Sequence, residues 1–375
     1  MAEWKECLLG DLITFQRGHD LPKSKMSGNG YPVVGSNGII GFHNEYTTEY
    51  PSITVRRSGN VGKPYIVYGR SWSHNTSLYI KEFKGTDPVF IYYFLQTLDL
   101  GNYAGGSAVP TLNRNHIHSL NVRVPADVST QEKIANTLKA LDDKIDKNTD
   151  INKNLEQQAQ AIFNNAIQQS KSVTYVKLGS LADVKGGKRL PKGANLMSIP
   201  NSHPYIRVRD LNDVVFASLS ANYEYVDDET QKAISRYITT TDDVLISIVG
   251  TVGLTAIVDK SLNMANLTEN CVKVTKLHGI SPEYLLLYLR SQHGSEEIKK
   301  GTVGAVQAKL PIKNIQALSV PLLPQSDLQL LNDTLKILFH QLSINIAESK
   351  CLTDIRDSLL PRLMSGELDV SEFDL

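Results

Sequence analysis

The sequence has few cysteines and no long apolar run. Its 375 residues include 3 cysteines, Cys7, Cys271 and Cys351. Their wide spacing matches neither a disulfide framework nor a metal-binding pattern, which predicts buried free thiols in a reduced cytoplasm. No apolar stretch approaches the roughly 20 residues that a membrane-spanning helix needs, and residues 1–5 do not resemble a signal peptide. We therefore expect a cytoplasmic protein with no membrane partner.

Motifs of the common catalytic chemistries are also missing. Residues 59–63, Gly-Asn-Val-Gly-Lys, lack the length and the hydroxyl residue of a P-loop. No Gly-x-Gly-x-x-Gly opens a helix, and no Asn-Pro-Pro-aromatic run of an amino-methyltransferase is present. His116 and His118 would share one face of a predicted strand and could hold a metal, but no third ligand is evident. Histidines that face solvent or DNA are the favoured alternative, so we predict no catalytic site, metal or cofactor in this chain.

Net charge is low overall but unevenly distributed. The chain has 39 Lys and Arg against 39 Asp and Glu. Residues 1–130 hold 12 basic and 10 acidic residues, and residues 173–325 hold 17 and 14. Residues 131–172 are balanced at 6 and 6, whereas residues 326–375 hold 4 and 9. Two regions therefore carry the positive charge, as expected of segments that contact an anionic partner.

The basic residues cluster within those two regions. No acidic residue lies between Tyr50 and Ile80, and only Asp183 is acidic across residues 177–209. Such clusters suit phosphate contacts, although a solvated basic face is the alternative for either cluster alone. The predicted DNA contacts of the first region are Arg17, Lys23, Arg56, Arg57, Ser58, Asn60, Lys63, Arg70, Asn75 and Arg114. Those of the second are Lys185, Lys188, Arg189, Lys192, Arg207, Arg209, Thr251, Asn270, Gln307 and Lys309.

The chain contains an internal repeat. Leu-Gly-Asp-Leu at residues 9–12 returns as Leu-Gly-Ser-Leu at 178–181, and Leu-Pro-Lys at 21–23 returns at 190–192. Further along, Thr-Leu-Lys at 137–139 returns at 334–336. Each copy is therefore a globular unit followed by a long helix. Such a repeat predicts pseudo-twofold symmetry, which suits a two-sided partner such as duplex DNA.

Both predicted helices carry a heptad seam. Apolar residues recur at alternating steps of four and three for more than four heptads, in the same register in both copies. We predict that the two helices pair antiparallel. Asn148 and Asn345 occupy equivalent seam positions, where they either fix the register or point at solvent. The predicted pairing residues are Leu138, Leu141, Ile145, Asn148, Leu155, Ile162, Leu335, Leu338, Leu342, Asn345, Leu352 and Leu359.

The globular units are predicted to be mixed α/β. Strands are expected at residues 31–34, 52–55, 78–80, 205–208, 244–247 and 271–274, with helices at 89–95 and 282–289. Each unit closes with a strand that ends in proline, at 120–125 and 318–324. A Gly-x-x-Gly follows a strand in each copy, at 59–62 and 250–253, and forms either a phosphate loop or a tight turn.

The order of these features resembles the specificity (S) subunit of type I restriction-modification systems. The resemblance rests on the Leu-Gly-x-Leu openings, the strand-Gly-x-x-Gly segments and the strand-to-proline closures. It also rests on Gln-Glu-Lys-Ile at 131–134, which starts a long helix, and on the tail Leu-Leu-Pro-Arg-Leu-Met-Ser-Gly-Glu-Leu at 359–368. At the second helix, the helix-start pattern is only faintly echoed at 324–328.

The resemblance implies a domain plan and a non-catalytic role. It implies target recognition domains at 1–130 and 173–325, each reading half of a bipartite DNA site, a spacer helix at 131–172, and a spacer helix with tail at 326–368. Two methyltransferase (M) subunits would dock on the helices and supply S-adenosylmethionine, and restriction (R) subunits would supply ATP- and Mg-dependent chemistry. Helix residues that could serve M subunits, unless they are simply solvated, are Lys139, Asp142, Lys144, Asp146, Lys147, Asp150 and Lys153. The alternatives are the recognition subunit of a type IIB-like enzyme and a coiled-coil scaffold without a DNA role.

Overall fold

The computed structural model describes residues 3–58, 61–105, 110–304 and 307–370. The chain divides into two compact units. Unit 1 comprises residues 1–148 and 348–375, and unit 2 comprises residues 149–347. Each unit therefore contains one globular domain and about half of each of two long helices.

The domain of unit 1 is mixed α/β. Its strands are β1 (Trp4–Leu8), β2 (Ile13–Arg17), β3 (Tyr31–Gly35), β4 (Gly38–His43), β5 (Ser52–Arg56), β6 (Pro64–Val67), β7 (Trp72–Ser73), β8 (Ser77–Phe83), β9 (Ala104–Gly105), β10 (Thr111–Leu112) and β11 (Asn121–Pro125). Its short helices are α1 (Leu9–Leu12), α2 (Pro88–Gln96) and α3 (Arg114–His118). The strands form sheets in the orders β2-β8-β5-β6 and β4-β3-β7 and the pairs β1-β11 and β10-β9. The first long helix, α4, then runs over Val128–Gln169.

Unit 2 repeats this architecture. Its strands are β12 (Thr174–Lys177), β13 (Asp183–Gly186), β14 (Pro204–Ile206), β15 (Phe216–Ala217), β16 (Glu224–Tyr225), β17 (Val244–Ser247), β18 (Thr255–Val258), β19 (Asn266–Leu267), β20 (Cys271–Thr275) and β21 (Ser319–Leu322). Its helices are α5 (Leu178–Leu181), α6 (Asp228–Ile234), α7 (Pro282–Arg290), α8 (Gln292–Gly301), α9 (Ile312–Gln316) and the long α10 (Gln325–Ser365). Sheets β13-β20-β17-β18-β15 and β16-β14-β19 and the pair β12-β21 match sheets of unit 1.

One buried helix anchors each domain. In α2, the Asp87 side chain accepts a hydrogen bond from the Phe90 amide at 2.7 Å, and a proline occupies the first turn. In α7, the Ser281 hydroxyl caps the Tyr284 amide at 3.2 Å. Residues 284–289 are all buried, so α7 contacts the core on every side. The caps start these helices, and their apolar side chains fix them against the sheets.

The long helices run antiparallel within each unit. In unit 1, Leu138 of α4 shares an apolar core with Leu363 of α10. In unit 2, Ala159 and Phe163 of α4 share a core with Leu335 and Leu342 of α10. In unit 1, Asp142 contacts Arg356 and Asn148 contacts Glu348, so the chain numbers run in opposite directions along the two helices and the seam is antiparallel, as the heptads predicted.

The seam departs from the prediction at one residue. Ile162 was expected to pair but is 37% exposed, whereas its neighbour Phe163 is 2% exposed. The Phe163 ring packs edge-on against Tyr284 of α7, with ring centroids 5.0 Å apart. This part of α4 packs against the domain as well as against α10. The buried position is therefore Phe163 and not Ile162. The assignment of Ile162 to the seam was therefore wrong.

Other local predictions also need correction. His116 and His118 lie on helix α3, not on a strand. The Nε2 atom of His118 accepts a hydrogen bond from the Phe15 amide at 2.9 Å, so this ring has a structural partner. Burial and two nearby basic side chains lower the pKa of His118, which favours the neutral acceptor form.

Some element boundaries and burial states differ from the sequence-based expectations. Helix α4 begins at Val128, three residues before 131, because Asp127 accepts a hydrogen bond from the Thr130 amide at 2.7 Å. The strand expected at 205–208 is β14, which ends at Ile206, before a 3₁₀ turn. Of the thiols expected to be buried, Cys271 is buried, Cys7 is half-buried and Cys351 is exposed. Among the described residues, no helix has both the length and the apolar character to cross a membrane.

Candidate nucleic-acid interface

Three loops of unit 1 are joined by backbone hydrogen bonds. The first loop follows β2, the second follows β5, and the third precedes β8. The bonds run from Gly18 N to Ser77 O (3.0 Å), His19 N to Ser73 O (2.7 Å), Arg57 N to Thr76 O (3.1 Å) and Leu112 N to Arg57 O (2.9 Å). Since the backbone holds these loops together, the loop side chains are free to vary without loss of the framework.

Unit 2 reproduces the same bonds with different side chains. They run from Gly187 N to Cys271 O (3.0 Å), Lys188 N to Leu267 O (2.8 Å), Ile248 N to Asn270 O (2.8 Å) and Leu310 N to Ile248 O (2.9 Å). Arg57 in unit 1 is thus replaced by Ile248 at the equivalent place in unit 2. The repeat keeps one loop framework and changes the chemistry that it presents.

The first loop needs glycine in both copies. A Cβ atom on Gly18 would lie 2.1 Å from the carbonyl oxygen of His74. One on Gly187 would lie 2.0 Å from the carbonyl oxygen of Thr268. Only glycine allows the two loops to approach this closely.

The last glycine of each Gly-x-x-Gly segment closes a loop back to the preceding strand. The Gly253 amide donates to the Ser247 carbonyl at 2.9 Å, and the Gly62 amide donates to the Arg56 carbonyl at 2.8 Å. Gly253 has a φ of 91°, a conformation that favours glycine. The first two residues of the unit 1 segment, Gly59 and Asn60, lie outside the described residues, so the predicted contact at Asn60 remains a prediction. In unit 2, the backbone bond and the positive φ of Gly253 favour the turn alternative.

The three loops of unit 2 border a cleft of about 620 Å³. Four predicted DNA contacts line it, Arg189, Asn270, Gln307 and Lys309. A second cleft beside it is lined by Arg189, Arg207, Arg209 and Asn270. The structure therefore brings six of the ten predicted contacts of this unit to two adjoining clefts.

Ion pairs reduce the free charge of these clefts. Arg207 forms an ion pair with Glu224, and Arg209 lies 3.5 Å from the carboxylate of Asp210. These two guanidinium groups are partly neutralised within unit 2.

The remaining predicted contacts of unit 2 do not line either cleft. Lys185 pairs with Asp183 at 3.2 Å, and the Lys188 ammonium lies 5.6 Å from the centre of the Tyr237 ring. Lys192 and Thr251 are exposed. Their assignment as DNA contacts therefore stays a prediction without support from the cleft geometry.

In unit 1 the predicted contacts separate into two groups. Arg17, Arg56, Arg57, Ser58 and Asn75 lie on or beside the three joined loops. The others lie elsewhere in the domain, namely Lys23 in a 3₁₀ turn, Lys63 just before β6, Arg114 at the start of α3 and Arg70 before β7.

Arg70 already has partners in the chain. Its Nε donates to the Glu49 carboxylate at 2.8 Å, and its guanidinium lies 4.5 Å from the centre of the Tyr46 ring. The hydrogen bonds to Glu49 and Tyr31, together with the charge of Glu49, raise the pKa of Arg70. Arg70 is therefore a weaker candidate for a DNA contact than the loop residues.

Two carboxylates at the joined loops were not predicted. The Asn75 amide donates to the Asp20 carboxylate. The Arg189 Nε donates to Glu269 Oε1 at 2.7 Å. Burial acts to raise the pKa of Glu269, but the hydrogen bond from Arg189 and bonds from its own backbone and Thr268 hold that pKa below its usual value. The sequence predicted DNA contacts from basic and polar uncharged side chains alone. It therefore did not include the carboxylates that hydrogen-bond to those side chains.

The long helices bury both asparagines of the seam. Asn148 is 1% exposed and donates to the Glu348 carboxylate at 2.7 Å, within unit 1. Asn345 is 6% exposed and donates to Asn152 at 2.8 Å, within unit 2. Both amides are buried and hydrogen-bonded, so neither points at solvent, and the register role stays a prediction.

Several charged helix residues that were considered for M-subunit docking pair within the chain instead. Asp142 accepts hydrogen bonds from Tyr93 and Arg356, both at 2.6 Å. Lys139 pairs with Asp143 in the next turn at 2.5 Å, and Lys144 lies 3.2 Å from Glu348. These contacts stabilise unit 1 and leave fewer charges for a partner.

Helix α10 carries a row of exposed apolar side chains that the sequence analysis did not predict. Leu330, Ile337 and Ile344 are 69%, 70% and 46% exposed, at regular seven-residue steps within unit 2. Seven residues are about two helical turns, so these side chains lie on one face. The buried seam lies elsewhere on the helix, at Leu331, Leu335, Leu338 and Leu342. We call Leu330, Ile337 and Ile344 the apolar row.

Comparison with known proteins identifies the family. The sequence model of the type I restriction modification DNA specificity domain matches residues 1–157 and 170–349. The chain belongs to this family. The two matched segments correspond to the two copies of the repeat, so each copy contains one specificity domain.

Individual relatives agree with this assignment. The chain is 22% identical over 362 residues to the type I restriction enzyme HindI specificity subunit of Haemophilus influenzae, covering 75% of this chain and 77% of that protein. It is 23% identical over 315 residues to the MjaIX specificity subunit of Methanocaldococcus jannaschii, covering 76% and 69%. The crystal structure of a type I S subunit from M. genitalium superposes with a TM-score of 0.64 at 18% identity, over 96% of each chain. The resemblance and the mixed α/β fold class predicted from the sequence are thereby confirmed.

Proposed function

We propose that each specificity domain reads one half of a bipartite DNA site. The observation that carries this proposal is the repeated loop framework, which presents different side chains in unit 1 and unit 2. Identical loops would favour a palindromic target. In this chain, Arg57 of unit 1 is equivalent to Ile248 of unit 2, and Asp20 is equivalent to Arg189, each two residues after the first-loop glycine. These differences favour two different half-sites. Side chains with different donors and acceptors distinguish base pairs by the hydrogen-bonding pattern of the base edges in the major groove.

We further propose that the chain acts without catalytic groups of its own. Two M subunits dock on the long helices and bring S-adenosylmethionine, and R subunits add the ATP- and Mg-dependent steps. The apolar row supports the docking surface, because exposed side chains of this size at regular spacing fit the apolar centre of a protein interface. The charged helix residues Lys147, Asp150 and Lys153 suit the polar rim of such an interface.

Methyl transfer with and without M subunits tests this proposal. We expect the purified chain to show no methyltransferase, nuclease or ATPase activity by itself. Mixed with its M subunits and labelled S-adenosylmethionine, it should direct methylation of DNA that contains one specific sequence. M subunits without the chain are the control and should leave the same DNA unlabelled. Methyl transfer by the chain alone would contradict the proposal.

A further inference from the structure

In unit 2, a carboxylate orients an exposed guanidinium. The Arg189 side chain is 81% exposed, whereas that of Glu269 is 30% exposed. Glu269 engages only the Nε atom of Arg189, at 2.7 Å. Among the described residues, the two terminal nitrogens of Arg189 have no hydrogen-bond partner. Arg189 is thus held through its Nε atom, and its two terminal nitrogens remain able to donate two parallel hydrogen bonds.

In unit 1, a carboxylate orients an amide. The Nδ2 of Asn75 donates one hydrogen to the Asp20 carboxylate. An Asn side chain has a second amide hydrogen and an acceptor oxygen. The bond to Asp20 fixes which end of the Asn75 amide is the donor. The remaining hydrogen and the oxygen then form an adjacent donor and acceptor.

These two pairs occupy the same place in the two loop frameworks. Asp20 lies two residues after Gly18, and Arg189 lies two residues after Gly187. Asn75 lies two residues before Ser77, whose carbonyl accepts from Gly18 at 3.0 Å. Glu269 lies two residues before Cys271, which accepts from Gly187 in the same way at 3.0 Å. The carboxylate is on the first loop in unit 1, after β2, but in unit 2 it is on the loop that precedes β20, so the two copies exchange the roles of these loops.

We propose that Arg189 and Asn75 are specificity-determining residues, one for each of the two half-sites. Arg189 reads guanine through its O6 and N7 acceptors, and Asn75 reads adenine through N6 and N7. Glu269 and Asp20 are positioning residues that hold these side chains in their reading orientation. This inference rests on the proposed function, and it assigns a base to each domain.

Sequencing of methylated sites tests the assignment. The assembled complex with M subunits is given a DNA library in which both half-sites are randomised. Arg189→Ala should abolish the preference for guanine at one position of one half-site, a loss of roughly 5- to 150-fold in discrimination. Asn75→Ala should abolish a preference for adenine in the other half-site. In each case the unaltered half-site should keep its sequence.

Further variants separate reading from folding. Glu269→Gln and Asp20→Asn keep the shape but remove the charge, and should weaken the preference at the same base positions as Arg189→Ala and Asn75→Ala. Lys276→Ala and Lys81→Ala, exposed changes away from the joined loops, should leave both half-sites unchanged. Uniform weakening of all sequences by Arg189→Ala would make Arg189 a phosphate contact and overturn the inference, as would relaxation at a base other than guanine. A wild-type complex without sequence preference would instead refute the proposed function.

Discussion

Replacing Leu330 and Ile337 by aspartate is expected to abolish methylation by the assembled complex. Both side chains belong to the apolar row and are about 70% exposed, so they contribute little to folding. At the centre of a docking interface, each could contribute about 2 kcal/mol. Losing both would weaken M-subunit binding by roughly 1,000-fold. The measurement is co-purification with the M subunit, followed by methyl transfer to the target DNA.

The control for that experiment is Lys336→Asp. Lys336 is exposed on the same helix next to Ile337, but it points about 100° away around the helix axis. It should bind M subunits nearly as well as the wild type. The thermal unfolding midpoint of the double variant should remain close to that of the wild type. Normal binding and methylation by the folded double variant would place the M subunits on another surface.

Lengthening both helices should lengthen the gap between the half-sites. The division between the units falls between residues 148 and 149 and between 347 and 348. Duplicating residues 149–152 in α4 and 345–348 in α10 adds four residues to each helix, outside the two apolar cores. Four residues add about 6 Å at about 1.5 Å per residue. With base pairs about 3.4 Å apart, the gap should grow by roughly one to two base pairs.

Both half-site sequences should survive this change, because the joined loops are untouched. The same complex with helices of the original length is the control and should keep the original gap. Sequencing of methylated sites gives the half-sites and the gap in one experiment. An unchanged gap in folded, active variants would show that the helices do not measure the DNA.

The sequence predicted the repeated features better than the individual contacts. The heptads located two antiparallel helices, because an apolar period of about 3.5 residues is characteristic of helices that pair along a seam. The same heptad pattern placed Asn148 and Asn345 in the seam, because both residues occupy positions that are otherwise apolar. Ile162 was assigned wrongly because a heptad template assumes one partner, whereas Phe163 turns toward the neighbouring domain.

The candidate interface was less predictable for a physical reason. Basic clusters predicted which regions contact an anion, but loop contacts depend on residues far apart in the chain. Asp20 and Asn75 are 55 residues apart, and Arg189 and Glu269 are 80 apart. Only the fold brings such pairs together. Likewise, the sequence did not separate the buried from the exposed apolar positions of α10. The apolar row became evident only from the exposure of its side chains in the structure.

Sequencing the methylated adenines of a host that carries this chain and its M subunits tests the central claim most directly. Two different half-sites separated by a fixed gap of unspecified bases are expected, since the two copies of the loop framework present different side chains. Removing the gene for this chain should erase that methylation. A single continuous motif, two identical half-sites, or methylation that persists without the chain would contradict the account.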